Sequence, residues 1–409
     1  MSNADYEKAL GRKIAFHRKR RGLSQKEFAG LLGRSEAWVS QVERGVRRID
    51  RMTVLEKVAE VLDLPVGELA AEAPIVASVA EGEAPGASRL RLVLSAAHSL
   101  KAILGRPEPP DVPALRAEVE RAWSLTHEGN YADLAELLED LVPRLESATR
   151  AGTEAERPEL FRLLAAMYHT CSAALANMGE PEAAWIAVDR SVVAAERAGD
   201  PLLMAAGEFR LSIVFLGARH YDQAARVSGS AAEALAPLAE DGGPEAVALR
   251  GALTLQRAVA AGRLNRADEA YAHLRQAGEL AERVGEGRND YNTEFGPTNV
   301  ALHEVAVAVD LGDAGVALRA AENVDASGLS PERQARFGID VAKAHAQRRQ
   351  VAEAVAALAK ARELLPEMFL AKPGVKQLVS DLVAMSPLPS DQLREMAREL
   401  GVHEMRTGT

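Results

Sequence analysis

The chain has 409 residues, of which 47% are hydrophobic, with a formal net charge of −10 and one cysteine. That length exceeds one ordinary domain and supplies material for a large core. The lone Cys171 excludes an intramolecular disulfide framework and fits a reducing compartment. No run of about 20 apolar residues exists to span a membrane, and the N-terminus lacks the charged-then-apolar order of a signal peptide, so a cytoplasmic protein without membrane association is expected.

The charge is unevenly spread. Between Lys8 and Arg51 there are 13 Lys and Arg against four acidic residues, net +9, which leaves −19 for the rest. A basic head on an acidic body suits a partner that presents phosphates to one end only. Arg outnumbers Lys 39 to 10 and Ala is abundant, a bias that points to GC-rich bacterial coding.

Taken in order, the apolar spacing predicts a helix from Asp5 to Arg20 that buries Leu10, Ile14 and Phe16 and ends at Gly22. Ser24 followed three residues later by Glu27 forms a capping box for a second helix, with Phe28, Leu31 and Leu32 on one face. Gly33 breaks that helix and Ser35 caps a third. In the third, Val39 and Val42 point inward while Glu36, Ala37, Ser40, Gln41 and Arg44 point outward. Two short helices joined by a tight turn have the pattern of a helix-turn-helix, whose second helix enters the DNA major groove. A helix over Met52 to Leu62 and a last turn over Val66 to Leu69 would complete a five-helix core.

Residues 6–70 resemble the Cro/repressor type of helix-turn-helix, the XRE family, through Ser24-Gln25, Glu27, Ala29, Gly33 and Val42-Glu43-Arg44-Gly45. The resemblance implies that Gln25 holds a phosphate and braces the third helix, and that Glu36, Ala37 and Gln41 face base edges. It also implies a structural pair between Arg18 and Glu43. Glu36 and Ala37 stand where relatives carry Gln, Arg or Ser, so direct readout is narrowed to a cytosine amino group and a thymine methyl. Trp38 either packs beneath the helix or presses on the sugar-phosphate wall. Arg34, Ser35, Ser40, Arg44, Arg47 and Arg48 complete the candidate DNA-contacting set.

From Ala71 to Ser88 the sequence turns to Ala, Glu, Pro and Gly without a sustained period. It reads as a linker between a domain over 1–70 and one over 89–409. As a flexible coil it would span roughly 23 Å and allow variable placement of the head. Leu90, Val93, Leu94, Ala97, Leu100 and Leu104 return to helical spacing before a Pro-rich break.

Beyond residue 113 amphipathic helices follow one another in pairs, with no strand pattern, so the fold class is all-α. A loose repeat aligns at Leu134, Ala184, Ala224, Ala270, Ala317 and Ala354, with separations of 50, 40, 46, 47 and 37. Small residues at such points resemble the tetratricopeptide repeat, whose strict period is about 34. The resemblance implies an α-solenoid of about six units and a cap.

Asn289 to Asp313 is the least monotonous stretch of the body. Asn299 and His303, four residues apart, share a helix face, where an amide could hold a peptide backbone and an imidazole a carboxylate. The alternative is that Asn299 caps the helix and His303 is a satisfied interior residue. Arg210, Asn292 and Phe295 join them as candidate ligand contacts. No phosphate-binding loop, HExxH, GxSxG or paired CxxC occurs, so no enzyme, metal site or cofactor is expected.

An XRE-type head joined to tetratricopeptide-like repeats resembles the peptide-sensing regulators of Gram-positive bacteria. The resemblance implies a homodimer on a double-stranded DNA operator, controlled by a peptide or small-molecule effector. Two other readings stay open: a DNA-tethered adaptor whose repeats recruit a protein, and a small-molecule sensor with a closed pocket near Phe295 and His303.

Overall fold

The computed structural model describes residues 3–47, 49, 52–64, 69, 86–95, 100, 103–104 and 109–402. Among the described residues every regular element is a helix, and none is long and apolar enough to cross a membrane.

The head contains α1 (Asn3–Arg20), α2 (Gln25–Leu31), α3 (Glu36–Glu43) and α4 (Met52–Leu62). Of the expected last turn only Leu69 lies within the described residues, and it is buried. Leu10 and Ile14 recur every four residues along α1 and meet Phe28, Val39, Val42 and Val58. A Cβ on Gly11 would lie 2.4 Å from the Val42 carbonyl oxygen, so glycine lets α1 rest against the end of α3. Phe16, expected inside, is 38% exposed. Two residues beyond Ile14 it lies on the opposite side of the helix, where its ring meets His17 edge-on and the Arg20 guanidinium.

In the body, α5 (Ala87–Val93) buries Leu90 and Val93. Leu100 and Leu104, which the spacing assigns to the same helix, are 58% and 77% exposed, and Ala97 lies outside the described residues. Six helix pairs follow: α6 (Val112–His127) with α7 (Tyr131–Ala151), α8 (Arg157–Asn177) with α9 (Pro181–Ala198), and α10 (Pro201–Gly217) with α11 (Tyr221–Ala234). After the short α12 (Ala236–Glu240) come α13 (Pro244–Arg263) with α14 (Ala267–Val284), α15 (Pro297–Leu311) with α16 (Ala314–Ala321), and α17 (Pro331–Gln347) with α18 (Val351–Leu364). Helices α19 (Pro366–Ala371), α20 (Pro373–Met385) and α21 (Asp391–Glu399) cover the end.

The pairs share one turn. Gly129, Gly179, Arg219, Asn265, Gly312 and Arg349 all have positive φ, and each lies two residues before the second helix of its pair. At every turn the next residue's N–H bonds back five residues to a carbonyl of the first helix, as in Asn130 to Leu125 and Gln350 to His345. This is a Schellman closure, which satisfies carbonyls that the helix end leaves unpaired. Three residues into each second helix stand Leu134, Ala184, Ala224, Ala270, Ala317 and Ala354, all 0% exposed. The sequence repeat therefore marks where one helix of a pair lies against the other. An insertion with a 3-10 turn at Asp290–Asn292 between α14 and α15 lengthens one interval, and the 21-residue helices α7 and α8 lengthen another.

The head is seated on the body. Arg349, in the α17–α18 turn, donates to both Glu27 carboxylate oxygens at 2.5 and 2.6 Å and to the Gly22 carbonyl at 3.0 Å. Arg21 Nε donates to Asp381 of α20 at 2.9 Å, Arg219 pairs with Asp63, and Met385 joins the head's apolar core. The linker alone predicts variable placement, but these contacts hold the head against the α10–α11 turn and α17–α20. Residues 71–85 of that linker lie outside the described residues.

Candidate functional site

The first candidate surface is built on α2 and α3. The Ser24 hydroxyl accepts from the Glu27 N–H at 3.2 Å, and the Glu27 carboxylate accepts from the Ser24 N–H at 2.7 Å, closing the capping box. Gly33 turns the chain with φ 63°, and Ser35 accepts from the Trp38 N–H to start α3. One carboxylate fixes the angle between the helices. Glu43 accepts from Arg18 Nε at 2.5 Å and Nη2 at 3.0 Å, and from Gln25 Nε2 at 2.7 Å, while Arg18 Nη1 reaches the Leu23 carbonyl at 2.6 Å. With side chains 8% and 6% exposed, the Arg18–Glu43 pair works in a low dielectric, where a bidentate guanidinium–carboxylate contact is geometrically demanding.

This frame leaves Arg34, Ser35, Glu36, Ala37, Arg44 and Arg47 exposed, with Ser40 and Gln41 half-buried between them. Trp38 is half-buried. Its ring packs against the apolar core of the head, and the Arg34 guanidinium lies 5.6 Å from the ring centroid. Arg44 Nε touches the Ser40 carbonyl at 3.2 Å, and Arg47 Nη1 stands 3.4 Å from Gln41 Oε1. Gln25 has one amide hydrogen committed to Glu43. Arg48 lies outside the described residues. The arrangement presents polar and charged side chains from one rigid helix, flanked by guanidinium groups at both ends, with a shape and charge that suit a duplex groove.

The second candidate site is a cavity of about 580 Å³ between body and head. His17, Arg21, Leu62 and Asp63 close it from the head side; Gln256, Arg263, Asn299, His303, Lys343 and Lys372 line it from the body. Helix α17 gives Arg333, Arg336, Asp340, Lys343 and Gln347 to this wall, at steps of three and four residues that keep them on one face.

The expected ligand residues occupy different places. Asn299 is 2% exposed and lies on the cavity wall, where its Nδ2 donates to the Thr293 and Glu294 carbonyls at 3.1 and 2.9 Å and braces the insertion. His303 also lines the cavity, with Nδ1 2.8 Å from the Asn299 carbonyl. Burial, aided by Arg333, pushes the His303 imidazole down to about 4, so the ring is neutral at pH 7. Its Nδ1–H is spent on that carbonyl and Nε2 is an acceptor; a neutral ring in this tautomer does not pair with a carboxylate, contrary to the expectation from spacing.

Phe295 is off the wall. Its ring is buried against Gly251, where a Cβ would fall 2.0 Å from the ring, so it serves the body's core and not a ligand. Arg210 is 8% exposed, with its guanidinium 5.0 Å from the Trp123 centroid and 5.1 Å from that of Phe209. It donates to the Asn292 carbonyl at 2.8 Å, and Asn292 itself has φ 55°. Both residues therefore hold the insertion in place beside the cavity. Burial lowers the Arg210 guanidinium to about 10, which leaves it charged at neutral pH.

Sequence reasoning passed over Arg263, Arg333, Arg336, Asp340, Lys343 and Lys372, because alternating charges on a helix read as a solvated face. The signal present was the three-and-four spacing of the charges on α17 against the apolar Ala335, Ile339, Ala342 and Ala346.

Comparison with known proteins adds the following. Residues 9–72 match the family described as helix-turn-helix domain. Comparison with curated proteins gives no match. Among solved structures the chain is similar to Bacillus thuringiensis PlcR in complex with the peptide PapR7 and DNA. The identity is 14%, the match covers 68% of this chain and 95% of that one, and the TM-score is 0.29. The capped α2–α3 motif lies inside the matched segment: the chain carries an N-terminal helix-turn-helix DNA-binding domain.

Proposed function

We propose that the protein is a sequence-specific transcriptional regulator that binds duplex DNA as a homodimer and whose repeat body senses an effector in the cavity beneath the head. The observation that carries the DNA part is the outward face of α3, held by the Arg18–Glu43–Gln25 network and bordered by Arg34, Arg44 and Arg47. Gln41, with Glu36 and Ala37 beside it, reads base edges, and the arginines hold phosphates. Two such heads on half-sites roughly 34 Å apart would match a near-palindromic operator.

The sensing part rests on head and body sharing one cavity. An effector that contacts His17, Arg21 or Asp63 together with α17 has a different affinity for seated and released heads, and that difference is what allows a ligand to shift their populations. A chamber of about 580 Å³ closed on one side by the head favours a compact effector over a long extended one. Sedimentation of the protein with a selected duplex tests the assembly. Two chains per duplex are expected, and a single chain on a duplex that contains one half-site repeat only would overturn the dimer.

A further inference from the structure

Each second helix of a repeat pair turns one face outward. On α7 that face carries Glu136, Glu139 and Asp140, and on α14 Asp268 and Glu269. Helix α9 differs. Its Trp185, Ile186 and Val193, at helical spacing on one face, are 49%, 50% and 44% exposed, and among the described residues Leu364, at the end of α18, is the one other large exposed apolar side chain on a second helix. The Trp185 ring meets that of buried Phe215 edge-on at 5.1 Å, so the indole is held in place as a rigid anchor. Leu92 of α5, 67% exposed, adjoins the start of α9, because its neighbour Arg91 pairs with Glu180 at 2.8 Å. At roughly 150 to 250 Å² for a large side chain, these four leave on the order of 400 Å² of apolar surface uncovered. A standard interface takes about 800 Å² from each partner, a little over half of it apolar, so the patch is of the size that a stable dimer needs.

We propose that the outward face of α9 is where a second copy of the chain docks, α9 against α9, to form the homodimer. The proposal deepens the homodimeric reading above and rests on it. The rim of the patch decides the kind of partner. Glu182, Asp189 and Glu196 border the apolar stripe together with Arg190 and Arg197, so a nucleic-acid backbone or an anionic lipid surface would meet more acids than bases. A second copy suits the same charges. Laid antiparallel about a two-fold axis between residues 189 and 190, the helix brings Ile186 level with the partner's Val193, Glu182 with the partner's Arg197 and Asp189 with the partner's Arg190, since each residue rises equally along the axis. Such an isologous contact closes on itself at two chains.

Sedimentation of the full-length protein without DNA reads the contact. The parent is expected as two chains. Ile186→Asp and Val193→Lys each place a charge in the stripe, and each should weaken self-association about a hundredfold or more. An equimolar mixture of the two variants should pair again, because the introduced charges stand level across the axis. That recovery keeps loss of pairing distinct from loss of fold. A parent that stays single at all concentrations, its stripe covered in cis or left bare, overturns the contact, as does a mixture that fails to pair. The two readings fail differently: a dimer that both variants keep refutes the α9 contact and leaves the homodimeric regulator standing, whereas a parent that is a single chain both in solution and on its duplex refutes both.

Discussion

Arg349 holds Glu27 through two nitrogens at 2.5 and 2.6 Å, so the turn inside the last helix pair grips the carboxylate that caps the first helix of the DNA-binding motif. Burial raises the Glu27 carboxyl, but the Arg349 guanidinium and the Ser24 donors outweigh it and hold the group at about 2. Head orientation and motif capping thereby share one group.

That pair gives the first prediction. The folded-state value of Glu27 is depressed from its ordinary 4.5, so the stability it contributes is full above that pH and is lost as pH falls from about 4.5 towards 2. Arg349 is 46% exposed, and solvent screening reduces the contribution to about 1 kcal/mol. Urea unfolding of the parent and Arg349→Ala should differ by that amount at pH 7, with the gap closing in acid. A gap independent of pH would count against the ion pair.

Arg18→Ala should destabilise the head by about 3 to 5 kcal/mol, because it leaves the Glu43 carboxylate buried without its counter-charge. Replacing both residues by methionine should recover most of the loss. Denaturant melts of the single and double variants check this, and an Arg18→Ala protein as stable as the parent would remove the strut.

On the DNA face two arginine-side and base-side roles separate. Gln41→Ala should cost on the order of 1 to 3 kcal/mol at one base position and relax selectivity there. Arg44→Ala should weaken binding to all sequences alike and lower the salt slope by about 1. Affinity on a panel of single-base operator variants across a salt series reads both effects. An unchanged preference in the first variant, or an unchanged slope in the second, rejects the corresponding contact.

The shared turn supplies a stability test. Gly129 has φ 67°, and a Cβ there would lie 2.9 Å from Leu365 Cδ2, so Gly129→Ala should cost about 1 to 2 kcal/mol or more. At the equivalent position Asn265→Gly, which relieves a φ of 60°, should be neutral or stabilising by a few tenths of a kcal/mol. Thermal melts compare them, and the opposite order would show that the six turns are not equivalent.

How far the sequence could be read follows from distance along the chain. Ser24, Glu27, Gly33 and Ser35 act on neighbours three residues away, and local chemistry was enough to place α2 and α3. Buried Ala184, Ala224, Ala270, Ala317 and Ala354 kept a visible spacing because close helix contacts admit only small residues. The turns hid themselves, since Arg219, Asn265 and Arg349 take the left-handed conformation where Gly129, Gly179 and Gly312 would announce it. Both arginines, Arg219 and Arg349, reach the head, at Asp63 and Glu27. The seam between head and body joins residues 322 and 360 positions apart, as in Glu27–Arg349 and Arg21–Asp381, and no local pattern carries such a pairing. Phe295 drew notice as an unusual aromatic in an alanine-rich setting, yet its ring fills the space above Gly251.

Whether the head reads sequence under control of the body beneath it is decided by selection from random duplex DNA with the full-length protein at moderate salt. Enrichment of a near-palindrome with half-site centres about 10 base pairs apart is expected, with the preference lost on Gln41→Ala at one position per half-site. Recovery of no sequence above random competitor would rule it out.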